Sequence, residues 1–250
     1  MDPTAQETIS RHLLTYQKFV ETTTFHPKIL KCLFVNAYNH FYSGKILAEK
    51  GLITQSYNCL RMGLESEWLG LILMKDTELG IVWILGSGDK SDLKRLKDLE
   101  KPHQIRKILG DAPRITVQDR DEIYKALSDK SHTKISSITR LFIPPEGPLP
   151  LMDVRCIPMG GMQGEETISR ILRGLLTVLT FALAEIEDNL GQRLLEEEWE
   201  WKRSDLIQIS EGALGDEGGP FEPHISSWGH PEADPIRTAI MLRMIFYREI

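Results

Sequence analysis

The sequence predicts an all-α fold, a helical bundle with one short irregular or β-hairpin-like segment near residues 144–161. Apolar residues recur every three or four positions along most of the chain, which is the period of an α-helix. The segment 144–161 is rich in proline and glycine, which excludes a helix there. Only residues 152–156 within it alternate as in an edge strand, so an extensive sheet is not expected.

The composition is that of an ordinary globular protein. The 250 residues are 41% hydrophobic and 26% charged, and the formal net charge of −6 gives no general nucleic-acid footprint. Three widely spaced cysteines without a CxxC motif favour reduced thiols in a cytoplasmic protein and argue against disulfides and a cysteine zinc site. The start of the chain lacks a signal-peptide pattern. The longest apolar run, 174–184, is shorter than the about 20 residues that span a bilayer, so we expect no membrane partner.

Three helices are predicted in the first 75 residues. The first covers 6–21, with either Tyr16 or Leu14 on its apolar stripe. The second runs from 27 to about 50, and the third from about 54 to 75. The third is apolar on more than one side, which predicts a central position. The residues expected to face the core are Ile9, Leu13, Val20, Ile29, Leu33, Ala37, Phe41, Leu60, Leu64, Trp68, Leu71 and Ile72.

The middle of the chain predicts three further helices. A short apolar helix is expected at 78–85, and the charged segment 89–101 is typical of a solvated helix. Thr116 and Asp119 have the spacing of a capping box, which predicts that a helix begins there. The glycine-containing segment GSGDKSD at 86–92 lacks the spacing of a phosphate loop, so we expect no cofactor.

The last third of the chain predicts one long helix and one final helix. The long helix is expected at 165–203, and it either extends beyond the core or kinks near Gly191. Trp199 and Trp201 in its charged second half offer a candidate partner contact. We predict a bundle domain at 1–209, and an acidic loop with a C-terminal helix that packs on the same bundle at 210–250.

Two sets of polar residues stand out because they lie at helical spacing within apolar-periodic stretches. Arg61 and Glu65 are four residues apart, so they share one helix face and can form an ion pair. Tyr124, Ser128 and His132 are also spaced by four and form one polar stripe on a continuous helix. Buried polar groups cost free energy unless they are paired. The two sets are therefore the candidate binding residues of a shared polar site.

Their chemistry leaves two interpretations open. His132 is the one member that titrates near neutral pH, so it is the acid–base candidate. Alternatively, His132 follows the end of its helix and bonds the last free carbonyl groups. The absence of a GxSxG motif argues against a Ser–His catalytic couple. In the structural interpretation, the polar residues only join the third helix to the helix near residue 124.

Three segments together resemble a known group of proteins: LRMGLE from residue 60, KDTELGIVWILG from 75 and YKALSDKSH from 124. The group is an uncharacterised prokaryotic all-helical family similar to HEPN-type and AbiV-type phage-defence domains, and the resemblance covers about residues 30–190. It implies a helical bundle with a role in stress or phage defence. HEPN ribonucleases carry an arginine, four to six residues and then a histidine. This chain lacks that motif, since seven residues separate Arg95 from His103.

Two functional hypotheses follow from the residues and the resemblance. The first is a module that binds a partner or ligand without catalysis, which predicts that Arg61, Glu65 and His132 converge. The alternative is a divergent HEPN-like ribonuclease, a toxin with His132 as acid or base and Arg61 stabilising phosphate charge. The partners left open are a second copy in a homodimer, an antitoxin or other protein, and RNA. No metal site is predicted.

Overall fold

The computed structural model describes residues 3–131, 142–143, 155–156, 165–196, 199–206 and 209. Within this part of the chain it contains eight α-helices and one pair of two-residue strands, which confirms the predicted all-α bundle. The helices are α1 (Pro3–Thr22), α2 (Lys31–Glu49), α3 (Ile53–Lys75), α4 (Thr77–Leu85), α5 (Lys90–Leu99), α6 (Pro102–Leu109), α7 (Val117–Ser131) and α8 (Glu165–Leu190). The strands are β1 (Phe142–Ile143) and β2 (Arg155–Cys156), and 3₁₀ turns lie at Lys28–Leu30 and Arg203–Asp205.

Some predicted features lie outside the described residues. These are His132, most of the 144–161 segment, and the acidic loop and C-terminal helix at 210–250. Of the predicted edge strand, the structure describes the end at Cys156, which pairs antiparallel with Phe142. Among the described helices, none has both the length and the apolar character needed to cross a membrane.

Helix α3 is the centre of the bundle. It packs against α2, α6, α7 and α8, because apolar side chains leave it in several directions. The predicted core residues of α3 are all buried. This burial is the main stabilising contribution, at about 1.5–3 kcal/mol for each large aliphatic or aromatic side chain. The central position predicted from the all-round apolar pattern is thus observed.

Two glycines of α3 allow α2 to approach closely. A Cβ atom at Gly63 would lie 2.5 Å from Phe41, and one at Gly70 would lie 2.7 Å from Phe34. Both phenylalanines are fully buried. The aromatic rings of α2 therefore pack into the space that the missing side chains of the two glycines leave, and these contacts bring the two helices close together.

One predicted core residue was wrong, one open alternative is decided, and one helix was not predicted. Ile29 was expected to face the core, but the chain starts α2 with a 3₁₀ turn that leaves Ile29 49% exposed. In α1, Tyr16 is fully buried while Leu14 is 49% exposed, which decides between the two alternatives. Helix α6 at Pro102–Leu109 was not predicted. Its eight residues carry only a short apolar stripe, so the periodic signal is brief.

The long helix predicted at 165–203 ends at Leu190 instead. Gly191 has φ 67°, a left-handed conformation that glycine adopts without strain and that commonly ends a helix. The following segment lies against α1 and α8, and Trp201 packs edge-on to Phe181 with ring centroids 4.8 Å apart. The extension of the helix beyond the core was therefore wrong, and the helix ends next to Gly191, where a kink was the predicted alternative. A partner contact in the region of Trp199 and Trp201 stays a prediction.

Candidate functional site

Helix α7 carries half of the predicted polar site, and its start is firmly capped. The backbone N–H and the hydroxyl of Thr116 donate to Asp119 Oδ2 at 2.8 and 2.7 Å, and the Asp119 N–H donates to Thr116 Oγ1 at 3.2 Å. This is the predicted capping box, with both side chains satisfying N–H groups that the helix leaves free. Helix α7 packs against α3, and Tyr124 of α7 donates to Glu65 of α3.

The two predicted polar sets meet at Glu65. The Tyr124 hydroxyl donates to Glu65 Oε1 at 2.9 Å, and Arg61 Nε lies 3.8 Å from the same oxygen. The side chains of Arg61 and Glu65 are 20% and 29% exposed. A second nitrogen of the Arg61 guanidinium donates to Asn58 Oδ1 at 2.9 Å. We call Arg61, Glu65, Tyr124, Ser128 and the neighbouring His40 the Glu65 cluster.

A stack of side chains holds Tyr124 in place. The guanidinium of Arg106 lies 4.1 Å from the centre of the Tyr124 ring, and the Trp68 ring is 6.4 Å from it. Arg106 Nε also donates to Asp121 Oδ1 at 2.6 Å, which fixes the guanidinium above the ring. Such cation–π contacts contribute about 0.5–2 kcal/mol. The phenol is therefore positioned before any ligand binds.

The charges around Tyr124 keep its hydroxyl a hydrogen-bond donor. Burial raises the pKa of Tyr124 above its ordinary value, and the carboxylate of Glu65 raises it further. Arg61 and the Ser128 hydroxyl act in the opposite direction without reversing the shift. At neutral pH the phenol is therefore protonated, and it donates its proton to the Glu65 carboxylate. Ser128 joins the cluster through a side-chain hydrogen bond with Tyr124, as expected from its position four residues farther along α7.

His40 is a member of the cluster that the sequence did not predict. It is half-buried on α2, where burial lowers the pKa of its imidazole and the carboxylate of Glu65 raises it. His40 lies off the apolar stripe of α2. The predicted polar residues are all on other helices, so no spacing in the sequence linked His40 to them. Only the packing of α2 on α3 brings it to Glu65. His132 lies outside the described residues, immediately after the end of α7.

A second polar group, also missed in the sequence, lies in the core. Arg120 of α7 and Glu185 of α8 are fully buried and form a two-pronged ion pair: Nε donates to Oε1, and the second nitrogen donates to Oε2 at 2.9 Å. The third nitrogen of Arg120 donates to the carbonyl oxygen of Gly110, and Asn189 donates to Glu185 Oε2 at 2.9 Å. The charges are thus fully hydrogen-bonded, which a buried pair requires.

Glu67 lies beside this pair and is fully buried. Among the described residues, none forms a hydrogen bond of ordinary geometry with either of its carboxyl oxygens. Burial raises the pKa of Glu67 well above its usual range, the facing Tyr16 hydroxyl opposes this shift, and the nearby Glu185 carboxylate reinforces it. The sequence held a signal for Glu185, because it interrupts the apolar run of α8, whereas Glu67 follows two polar residues and gave no such signal.

The Glu65 cluster offers groups for hydrogen bonding and does not have the ligand set of a metal site. Across the described ranges, His, Cys, Asp and Glu side chains nowhere form a group of three or more that could hold a metal ion. The cluster instead offers a carboxylate, a guanidinium, a phenol and an imidazole, which suit polar recognition through hydrogen bonds.

The fold and the site together define an all-α helical-bundle protein with a half-exposed polar cluster between α2, α3 and α7. No family model, no curated protein and no solved structure matches the chain. The relation to HEPN-type and AbiV-type domains stays a prediction from the resemblance.

Proposed function

We propose that this protein is a non-catalytic binding module linked to stress or phage defence, and that the Glu65 cluster recognises a protein partner. The observation that carries the proposal is the hydrogen bond from Tyr124 to Glu65 at 2.9 Å, with Arg61 beside the same carboxylate. Polar groups from separate helices are held together where solvent still reaches them. Binding to groups that are already ordered costs little conformational entropy.

The composition around the cluster favours a protein over a small polar ligand. Arginine, tyrosine and methionine are enriched at protein interfaces, and Met62 is 39% exposed directly after Arg61. Asn58 links the two residues, since it accepts from Arg61 and lies 3.7 Å from the Met62 sulfur. An antitoxin, another protein or a second copy of the chain fits such a surface, with the charged pair fixing its orientation.

We expect a photo-cross-linking amino acid at Met62 to capture a specific protein in phage-challenged cells. The same group at Ile84, which is equally exposed on α4, should capture none. Combining Arg61→Gln with Tyr124→Phe should weaken capture at Met62 by about tenfold or more, because hydrogen bonds to charged groups contribute about 1.5–3 kcal/mol. Tyr42→Phe removes the hydroxyl of an exposed tyrosine and is the matched control. The readout is the adduct identified by mass spectrometry.

The defence role is tested in the same cells by the plaquing efficiency of a phage panel. The protein should reduce plaquing of at least one phage, and the double variant should restore it while Tyr42→Phe does not. Adducts of equal yield at both positions, or full protection by the double variant, would contradict the proposal. Circular dichroism and thermal melting establish that each variant is folded.

The alternative function is a divergent HEPN-like ribonuclease that uses His132 and Arg61. It draws support from the position of Arg61 next to α7, whose last residue Ser131 directly precedes His132. In this case the purified protein cleaves end-labelled RNA, and His132→Ala lowers the cleavage rate by about 10²-fold or more, as expected when a general acid or base is lost. His103→Ala, at an exposed histidine, should cleave normally. Equal rates for His132→Ala and the wild type would exclude this assignment.

A further inference from the structure

A non-helical segment after α8 crosses the surface between α1 and α8. We call residues 191–196 and 199–201 the strap. One end is anchored by Glu187, whose Oε1 accepts the backbone N–H groups of Leu194 and Leu195 at 2.5 and 2.6 Å. Arg114 donates to the other oxygen of the same carboxylate at 2.7 Å. Farther along the strap, the Trp199 ring meets His12 edge-on, with ring centroids 5.5 Å apart.

His12 lies beneath the strap with only 4% of its surface exposed. Its Nε2 lies 3.1 Å from the Thr180 hydroxyl oxygen of α8, and its ring also bonds to the backbone of Thr8. A cavity of about 20 Å³, room for about one water molecule, separates α1, Leu183 of α8 and the strap at this point. His12 is therefore a buried titratable group at the contact between the strap and the bundle.

The charged groups that face His12 come from α1 and the strap. Arg11 on its own helix and Glu196 of the strap line the same cavity, and they form a solvent-exposed pair at 3.6 Å. The residues of α8 that meet the site, Thr180 and Leu183, are uncharged. Burial lowers the pKa of His12 to about 4, the Thr8 backbone opposes the shift, and Arg11 reinforces it. The closed strap thus holds a neutral imidazole.

We propose that the strap is an acid-released latch: protonation of His12 favours an open state in which Trp199 leaves the imidazole and the cavity beside His12 opens to solvent. The anchor at Glu187 stays closed in mild acid. Burial raises the pKa of Glu187, but the N–H groups of Leu195 and Leu194 and the Arg114 guanidinium outweigh burial and hold it below its usual range. The strap then pivots about residues 194–195. This inference is independent of the role proposed for the Glu65 cluster.

The size of the effect follows from proton linkage. In the open state His12 is solvated and titrates near about 6.5, the ordinary value for histidine. In the closed state its pKa is about 4. Protons therefore bind the open state more tightly between these values, and the open-to-closed ratio rises by about 30-fold from pH 7.5 to pH 5. Below about pH 4 both states are protonated and the ratio no longer rises.

Hydrogen–deuterium exchange of the full chain tests the latch at pH 7.5 and 5.0, with rates corrected for the intrinsic effect of pH. Protection of the Trp199 amide, which lies beyond the pivot and donates to the Glu196 carbonyl oxygen, should fall by up to about 30-fold. The anchored amides of Leu194 and Leu195 and the peptides of α3 should keep their protection. In His12→Gln, which stays neutral at both pH values, strap protection should be the same at pH 5.0 as at pH 7.5. His103→Gln, at an exposed histidine, should behave like the wild type.

A second variant covers the case in which His12→Gln does not fold. Trp199→Leu keeps His12 and removes the ring contact, so its strap should already exchange quickly at pH 7.5 while α3 stays protected. The latch is disproved if wild-type strap protection is the same at both pH values, or if α3 and the strap lose protection together. It is also disproved if a folded His12→Gln responds to acid like the wild type, or if Trp199→Leu retains full strap protection.

Discussion

Arg120→Leu is expected to lower the free energy of unfolding by about 3–5 kcal/mol, the largest effect of any single change considered. The substitution removes the cation that neutralises Glu185, and both side chains are fully buried. Glu185 would then be a carboxylate in the core with Asn189 as its one remaining side-chain partner described, and the carbonyl oxygen of Gly110 would lose its guanidinium donor. Urea unfolding followed by circular dichroism at pH 7 measures the loss.

Two further variants separate the ion pair from packing. Arg203→Leu removes an arginine that is 51% exposed and contacts Glu122 and Asp119, and it should cost no more than about 1 kcal/mol. The double change Arg120→Leu with Glu185→Leu should recover most of the lost stability, because an apolar pair leaves no buried charge. A cost below about 1 kcal/mol for Arg120→Leu would show that Glu185 finds another partner or becomes protonated without penalty.

Glu67→Gln is expected to stabilise the protein by about 1–3 kcal/mol at pH 8, because a carboxyl group that keeps its proton in the fold lowers stability by about 1.4 kcal/mol per pH unit above its unfolded-state pKa. Burial raises the pKa of Glu67 well above its usual range. The folded state therefore holds a proton that the unfolded chain releases once the pH exceeds the ordinary value for glutamate. The stability that this proton contributes is present in acid and is lost as the pH rises. Glutamine has no such proton, so the variant escapes the loss.

The measurement is urea unfolding of both proteins at pH 4.5 and pH 8. The two should differ little at pH 4.5 and most at pH 8, with the variant more stable. Glu78→Gln changes an exposed glutamate at the start of α4 and is the control, with no comparable gain. If Glu67→Gln is less stable than the wild type at pH 8, Glu67 is ionised in the fold and held by partners.

A glutamate that lowers stability in the core is unusual, since cores rarely keep polar groups without a role. Glu67 and Glu185 lie on facing helices, yet in the part of the chain that the structure describes only Glu185 pairs with a cation. Conversion of the network to apolar side chains would be expected to yield a more stable bundle.

Much of the fold was predictable because it depends on residues that are close in the chain. The apolar pattern of α3 predicted its central position, and Thr116 with Asp119 predicted the start of α7, since a capping box involves only four consecutive residues. The spacing of four residues along a helix, which is equally local, predicted that Arg61 lies beside Glu65 and Tyr124 beside Ser128. Helix α6 was missed because eight residues show too little periodicity. A kink near Gly191 was one predicted alternative for α8, but only the backbone conformation of Gly191 shows that the helix ends there.

By itself, the sequence determined that this protein is an all-α bundle and that Arg61, Glu65, Tyr124 and Ser128 stand at helical spacing. The tertiary structure alone decided that Glu65 meets Tyr124, 59 positions away, and that His40 joins them from α2. It also decided that Glu185 pairs with Arg120 while Glu67 stays without an ordinary hydrogen bond from the described residues. Periodicity records which side of a helix is apolar, whereas the partner of a polar side chain depends on how the helices pack, which no spacing within one helix records.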